Sequence, residues 1–506
     1  MLPSLQLLTR QSQHRTVLII LALLGFATYF SGLTIPYYGY YAQNPQQHFS
    51  DLFSQNPPNG FFRPIESAFL NVVQTHFRTN ALPIHLVALS MHMLLALLIF
   101  VFVIDAGFSK LTATLACALM MVSQANVWAV LGNDTLSQVA GTLFGWVSLW
   151  LLYRASFERH DNTHVPKPVL HSRYYCLSVL TFALSLFSKE SSTSFFFMLL
   201  GILLLRHLAA RRSGLRLSRT ILQWLPYFIA LGLYCGIRCL TPARQPALGS
   251  DRYDFHLGLN VVSNLAMLAV GATILISSVT GVLGVMSRDP GMVTLVASSC
   301  LLLTGVVGYG LWRSNERFTI LAIMSMAVIS FFPMAMNNHV NELYVYNSMP
   351  FVSILIGIGL GTAVERCSVQ PRKADLYVIL ILLVMASHVV ACNKKISLLR
   401  HRGERAAKMI NTITDYCRTV HSAGTVYVVD AEVEGTQYEP FIINRVDVLG
   451  PGVEQLVKYR LGRDDVRVRR LKLSVAESAD FTPSDDSLLL LFDGDSLRLY
   501  DPRVIR

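Results

Sequence analysis

The sequence predicts a mainly α, polytopic membrane protein of about eleven transmembrane helices with a small C-terminal α+β domain. Three observations carry that prediction. Of 506 residues, 53% are hydrophobic and only 14% are charged, whereas soluble domains carry roughly a quarter charged residues. Apolar runs of about twenty residues, long enough to cross a hydrocarbon core of about 30 Å, recur as far as position 392. Beyond that point the composition becomes that of an ordinary soluble domain. The chain therefore divides into a membrane part, 1–392, and a soluble part, 393–506.

The runs fall near 17–35, 83–104, 110–131, 136–153, 173–188, 191–206, 221–240, 291–312, 317–336, 346–364 and 375–392. Arg10 and Arg15 precede the first run, and no small-residue cleavage site follows it, so it reads as an uncleaved first span. Orientation follows from the basic loops. Arg154, Arg159, Lys167 and Arg173 form one; Arg206, Arg211, Arg212, Arg216 and Arg219 form the next; Arg366, Arg372 and Lys373 form a third. All three share the cytoplasmic side with the N-terminus. Arg313 and Arg317 join them only if the Gly- and Ser-containing stretch 258–287 does not cross but is re-entrant or interfacial. The loop 36–82, the loop 241–257 and the tail then meet outside. If 258–287 crosses, the tail becomes cytoplasmic. The basic cluster Lys394, Lys395, Arg400, Arg402 and Arg405 favours that alternative, but long domains translocate regardless of charge.

The tail opens with a helical stretch, 396–420. Strand-like segments follow at Gly424–Val429 and Leu488–Phe492, and the turn Asp493-Gly494-Asp495 leads to Leu497–Tyr500 as a hairpin.

The net charge of +11 does not imply nucleic acid, because the basic residues lie in short loops and no basic-aromatic interleaving builds a groove. The eight cysteines are scattered, mostly in or beside apolar runs. Cys235 and Cys239 stand four apart on one helix face without a histidine or second cysteine pair beside them, so no metal site is expected.

Candidate chemistry concentrates in 36–103. A loop as long as 36–82 is often functional. It holds one aspartate, Asp51, and one glutamate, Glu66, three residues after Arg63. Tyr37, Tyr38, Tyr40, Tyr41, Gln43, Asn44, Gln46 and Gln47 make a surface suited to stacking on and hydrogen-bonding a sugar. Asp51 has two readings: a general base taking the proton of an attacking hydroxyl, or a solvated loop residue capping a short helix. His85 and His92 stand seven apart, on one face of a helix, either contacting substrate or bonded to neighbouring helices. Lys189-Glu190 interrupts the apolar run SLFSKESSTSFFF. The lysine there meets a phosphate at the membrane face, pairs with Glu190, or snorkels to the interface.

Four local patterns, in order over roughly 60–350, carry a family resemblance. Arg63-Pro64 resembles an "RP" following a catalytic loop. Pro83-Ile84-His85 with His92 resembles a second span bearing two histidines. Ser188-Lys189-Glu190 resembles an "SKE" at an outer helix end, and Glu342-Leu343-Tyr344-Val345-Tyr346 a late "ERYLY". Together they resemble integral-membrane glycosyltransferases of the GT-C type, in the branch of protein O-mannosyltransferases, tetratricopeptide-linked mannosyltransferases and their bacterial relatives. The chain departs from the pattern at Ser50, where many relatives carry a second acidic residue. It departs again at Ala88, in place of an asparagine between the histidines, and at Leu343, in place of an arginine. The tetratricopeptide tail is absent.

The resemblance implies a GT-C-like fold in a bacterial inner membrane with the tail outside. It implies a polyprenyl-phosphate-linked sugar donor and, as acceptor, a protein, glycolipid or glycan hydroxyl. Asp51 would be the base, with Glu66 as its substitute. Arg63, His85, His92, Lys189, Glu190, Glu342, Tyr344 and Tyr346 would line the donor and substrate site, and the phosphate contact that Leu343 lacks would be either missing or moved to Arg252 or Arg244. No metal-ligand motif is present, although Asp51 and the donor phosphate together suffice to hold a divalent cation. Two other classes compete. A transporter for lipid-linked glycans should show mid-span charges and a repeat between halves, and neither is evident. A non-catalytic scaffold would tolerate loss of the Asp51 carboxylate.

Overall fold

A computed structural model of the chain describes residues 3–36, 62–77, 80–132, 135–160, 163–166, 169, 172–210, 217–240, 257–278, 281, 284–285, 287–314, 316–337, 340–367, 371–419, 424–430, 453–463, 465–472, 476, 487–492 and 497–500. Each expected apolar run is helical. The elements are α1 (Pro3–Tyr29), α2 (Pro64–Phe77), α3 (Leu82–Asp105), α4 (Lys110–Val122), α5 (Val127–Leu131) and α6 (Leu136–Ser156). A short hairpin, β1 (Phe157–His160) and β2 (Thr163–Pro166), precedes α7 (Arg173–Ser188). Then come α8 (Thr193–Ala210), α9 (Leu217–Leu240), α10 (Leu259–Thr273), α11 (Pro290–Arg313), α12 (Arg317–Ala335), α13 (Met349–Cys367) and α14 (Pro371–Thr419). Among the described residues nine helices are long and apolar enough to cross a membrane. A tenth is the pair α4 and α5, bent by 45° at its break. Helix α7, with 16 residues, spans about 24 Å and completes the eleven expected runs.

Two predictions change in form. The run 110–131 is not one rod: the break at Gln124–Asn126 frees backbone groups, and Asn126 Nδ2 donates to the Met120 carbonyl at 2.7 Å. The supposed loop 36–82 contains helix α2. Pro64 sits at its first position, where its missing N–H costs nothing, and Leu70 and Val73 supply a buried face.

Contacts assign helix ends to two faces. Asp105, at the end of α3, takes a fork from Arg154 near the end of α6, at 2.8 and 3.0 Å. At the other end of α6 the Ser137 amide donates to Glu66. Helix α13 runs from Met349, beside the Glu66 face, to Cys367, where Arg366 donates to the Arg313 carbonyl. The basic ends therefore share one face, and the start of α2, the end of α7 and the start of α13 share the opposite one, called here the site face. Helix α11 ends on the basic face and, at 24 residues or about 36 Å, starts on the site face. Helix α9 ends on the site face, because Arg238 lies within electrostatic reach of Arg63 and Glu190. The stretch 258–287 thus begins and ends on one face. Its helix α10 has 15 residues, about 22 Å.

Packing in the bundle depends on small residues. The run Gly357-Ile358-Gly359-Leu360-Gly361 works on two sides of α13 at once. A Cβ at Gly357 would meet Ala116 of α4 at 2.8 Å, and one at Gly359 would meet Val307 of α11 at 2.7 Å. Backbones can approach this closely only without side chains between them.

Helix α14 does not stop at 392. Its 49 residues, about 74 Å, run unbroken from the basic face into the tail. The tail adds β3 (Thr425–Asp430), α15 (Val453–Leu461), β4 (Arg467–Lys472), β5 (Ser487–Phe492) and β6 (Leu497–Leu499). The sheet order is β4-β3-β5-β6. Strand β3 is parallel to β4 and β5, and β5 and β6 form the expected antiparallel hairpin. A second hydrophobic core joins Leu70, Val73 and Ile84 of the membrane part to Met409, Ile410, Val426 and Leu456 of the tail. The tail therefore packs on the site face.

Candidate active site

Arg63 ends the first long loop and is 7% exposed. Its Nε donates to Glu190 Oε2 at 3.0 Å and its Nη2 to Oε1 at 2.6 Å, a planar fork that fixes both side chains. Nη1 stands 3.8 Å from Glu66 Oε2, and Glu66 Oε1 accepts the Ser137 amide at 3.0 Å. Lys189 Nζ lies 3.5 Å from Glu190 Oε1. Two cations and two carboxylates, from the start of α2 and the α7–α8 junction, thus form one group, buried except for Glu190, with an α6 amide bonded to it.

The sequence makes this geometry locally. Helix α7 ends at Ser188, Lys189 is extended at φ −154°, and a short 3-10 turn, Glu190–Ser192, leads into α8. A cation after one helix and a carboxylate in the first turn of the next both suit the helix dipoles. The polar run Ser-Lys-Glu-Ser-Ser breaks the helix because its side chains compete for backbone groups. Gly141 of α6 lets this turn pack closely: a Cβ there would meet Ser192 Oγ at 2.8 Å and Lys189 Cβ at 2.9 Å. Behind the turn, Asn347 donates to Ser191 Oγ at 3.0 Å and accepts from Gln138 and Thr142.

A second polar group lies beside Asn347. Glu342 pairs with Lys395 of α14 and accepts from Ser278 Oγ at 2.8 Å. Lys395 also donates to the Gln124 carbonyl at 3.0 Å, and Gln124 Oε1 accepts the Ser278 amide at 3.2 Å. The α4–α5 break, the 258–287 stretch, the late motif and α14 therefore meet at one ion pair. Removing one partner of such a buried pair costs about 3–5 kcal/mol. Next to it, His92 Nδ1 and Tyr346 Oη are 3.0 Å apart, and the Tyr29 ring stands edge-on to His92 at 5.4 Å.

Of the predicted site residues, Arg63, Glu66, Lys189 and Glu190 come together. Glu342 and Tyr346 belong to the second group, with His92; Tyr344 is buried in the same turn. His85 Nε2 is bonded to the Ile35 carbonyl at 3.0 Å, tying the end of the first span to α3. The partner is a backbone carbonyl just beyond the first span, not a group on a neighbouring helix. Lys189 lies against Glu190. Asp51, Arg244 and Arg252 lie outside the described residues, so the expected base and the two expected phosphate contacts have no position here.

The sequence reading did not single out Arg238, Asn347, Gln138 or, as a site residue, Lys395. Arg238 donates to Tyr234 Oη at 3.0 Å, and Tyr234 packs against Phe62 beside Arg63. An arginine near the end of an otherwise apolar run was the available signal. Lys395 looked like one of several juxtamembrane bases. A cavity of about 380 Å³ lies on this face between Pro36, Asn80, Leu82, Ala407, Leu456 and Arg460. It separates the start of the loop from the tail. Among the described residues no three His, Cys, Asp or Glu side chains are grouped to hold a metal.

Neither a protein-family model nor a curated protein sequence matches the chain. Solved structures do. The apo crystal structure of ArnT from Cupriavidus metallidurans matches at TM-score 0.51 and 12% identity, covering 94% of this chain and 92% of that one. The same protein bound to undecaprenyl phosphate matches at TM-score 0.46 and 11% identity, covering 94% and 93%. An archaeal oligosaccharyltransferase, AglB from Archaeoglobus fulgidus, in complex with an inhibitory peptide and a dolichol-phosphate, matches at TM-score 0.44 and 11% identity. That match covers 77% of this chain but 56% of AglB, so the chain spans about half the length of that protein. The fold is the GT-C membrane fold with a small C-terminal mixed α/β domain. It extends over nearly the whole of ArnT.

Proposed function

We propose that this chain is a glycosyltransferase that moves a sugar from a polyprenyl-phosphate donor to an acceptor hydroxyl on the site face, the extracytoplasmic face of a bacterial inner membrane. The observation that carries the reading is the buried charge group Arg63–Glu66–Lys189–Glu190, held at the membrane end of α7 where the first long loop ends. Ionisable side chains at such a depth are costly to maintain without a function. ArnT, whose apo form carries the fold match, also binds undecaprenyl phosphate, and the donor proposed here is of that lipid class.

In this reading the donor phosphate enters beside Arg238, which is exposed on α9 among the lipid-facing residues Leu233 and Leu240. Arg238 and Lys189 offset the charge that builds on the phosphate as it leaves. Arg63 holds Glu190, so that this carboxylate does not neutralise Lys189 alone. The Asp51 carboxylate takes the acceptor's proton as its oxygen bonds to the anomeric carbon. The bond from that carbon to the phosphate oxygen breaks, with inversion, and polyprenyl phosphate departs. The leaving group is already activated, so positioning and one base supply much of the rate. The cavity beside Asn80 and Leu456 is the acceptor's approach. A divalent cation shared by Asp51 and the phosphate would add charge stabilisation.

The test offers the purified protein a panel of polyprenyl-phosphate sugars, with and without EDTA, and follows released polyprenyl phosphate. Release with one donor supports the reading, and its loss in EDTA supports the cation. Movement of intact donor across vesicles without cleavage would make the chain a transporter instead.

A further inference from the structure

We propose that the basic face carries a second lipid site, built for the phosphate headgroup of an anionic phospholipid. A cavity of about 620 Å³ opens between the ends of α11, α12 and α13 and is lined by Tyr309, Trp312, Arg313, Ser314, Arg317 and Arg366. Three guanidiniums and two aromatic rings line it, and among the described residues the lining contains no carboxylate; Glu316 and Glu365 are exposed beside it.

The parts are held rather than scattered. The Arg313 guanidinium lies over the Tyr309 ring at 5.6 Å and the Trp312 ring at 5.8 Å. Arg366 Nη2 donates to the Arg313 carbonyl at 3.3 Å, which ties the α13 guanidinium to the end of α11. Ser314 is buried between them and anchors the turn by accepting the Glu316 amide at 3.2 Å. Trp312 is 70% exposed, at the end of a helix that packs on α13 through Leu303 and Gly310 and leaves Leu301 and Leu302 exposed. An exposed tryptophan there belongs at the headgroup level, with its ring among acyl chains.

The depth selects a lipid over a free anion. The cavity sits at the ends of three helices long and apolar enough to cross a membrane, next in sequence to exposed Phe318, with exposed Leu302 and Leu301 about 15 Å further along α11. A phosphodiester held by the arginines would lay its chains along that apolar surface. Basic pockets between transmembrane helices on the cytoplasmic side take headgroups in this way. The site is separate from the donor site: α13 alone puts about 28 Å between Met349 and Cys367.

Native mass spectrometry of the full-length protein, titrated with phosphatidylglycerol or phosphatidylcholine, tests this without any transfer reaction. The wild type should retain phosphatidylglycerol in preference. The triple variant Arg313→Gln, Arg317→Gln, Arg366→Gln should lose about a hundredfold in phosphatidylglycerol affinity, at roughly a tenfold factor or less per arginine, with phosphatidylcholine unchanged. Replacing the same three residues by Lys, which keeps the charge, should retain most of the binding. Equal retention of both lipids by the wild type would overturn the proposal. So would undiminished phosphatidylglycerol binding in the Gln variant with native helical content, or displacement of the lipid by inorganic phosphate at matched concentration.

Discussion

Arg63 and Glu190 form the contact on which the candidate site is built, and its energetics can be separated from its chemistry. Arg63→Gln leaves Glu190, 28% exposed, without its fork and should destabilise the protein by about 1–3 kcal/mol, read as a lowered Tm in detergent. Glu190→Gln added to it should restore most of that loss, because a neutral amide no longer needs a cation. An additive double variant would mean that the two side chains do not depend on each other. Lys189 behaves differently if it serves the donor phosphate: Lys189→Ala should weaken donor binding more than it slows turnover at saturation. Unchanged donor affinity would reduce Lys189 to a partner of Glu190. At this scale the sequence was legible where motifs lie on helix ends, as at Ser188-Lys189-Glu190. It was not legible where the partner is far away in sequence, as for Glu342 and Lys395, because nothing local marks which of several lysines turns inward.

Elements carry the next layer of the account. The α7–α8 junction stays where it is because Gly141 lets α6 pass close to Lys189 and Ser192. Gly141→Ala should push that turn outward, cost about 1–3 kcal/mol of stability and lower turnover. A variant with native Tm and native rate would show that the turn has room to spare. The apolar runs themselves were readable, since each expected span is a helix. The bend at Gln124–Asn126 was not, because its cause is a set of buried hydrogen bonds rather than proline or glycine. Helix α2 was hidden by the polar character of its surroundings; only the short face of Leu70 and Val73 announced it. The charge pattern at Arg313 and Arg317 already argued that 258–287 does not cross, but it did not specify Ser278 meeting Glu342.

On the scale of the whole molecule, one helix joins the two parts. Helix α14 carries Lys395 into the second polar group and Met409, Ile410 and Ile413 into the core shared with α2 and α3. A chain ending at 419 would expose Leu70, Val73, Met409, Ile410 and Ile413, each worth about 1.5–3 kcal/mol when fully buried. It should aggregate or melt well below the full-length protein; an unchanged Tm would mean that the tail is an independent appendage. The composition shift near 392 was visible in the sequence, but a helix continuing through it was not, because the last apolar run and the first polar one share the same helical preference. The proposal that the site face performs sugar transfer with Asp51 as base can be tested at the bond that breaks. The most direct measurement is single-turnover release of polyprenyl phosphate by wild type and by Asp51→Asn, with donor binding measured in parallel. The variant should bind donor, keep its fold and release nothing above background; wild-type release by Asp51→Asn would rule out Asp51 as the base.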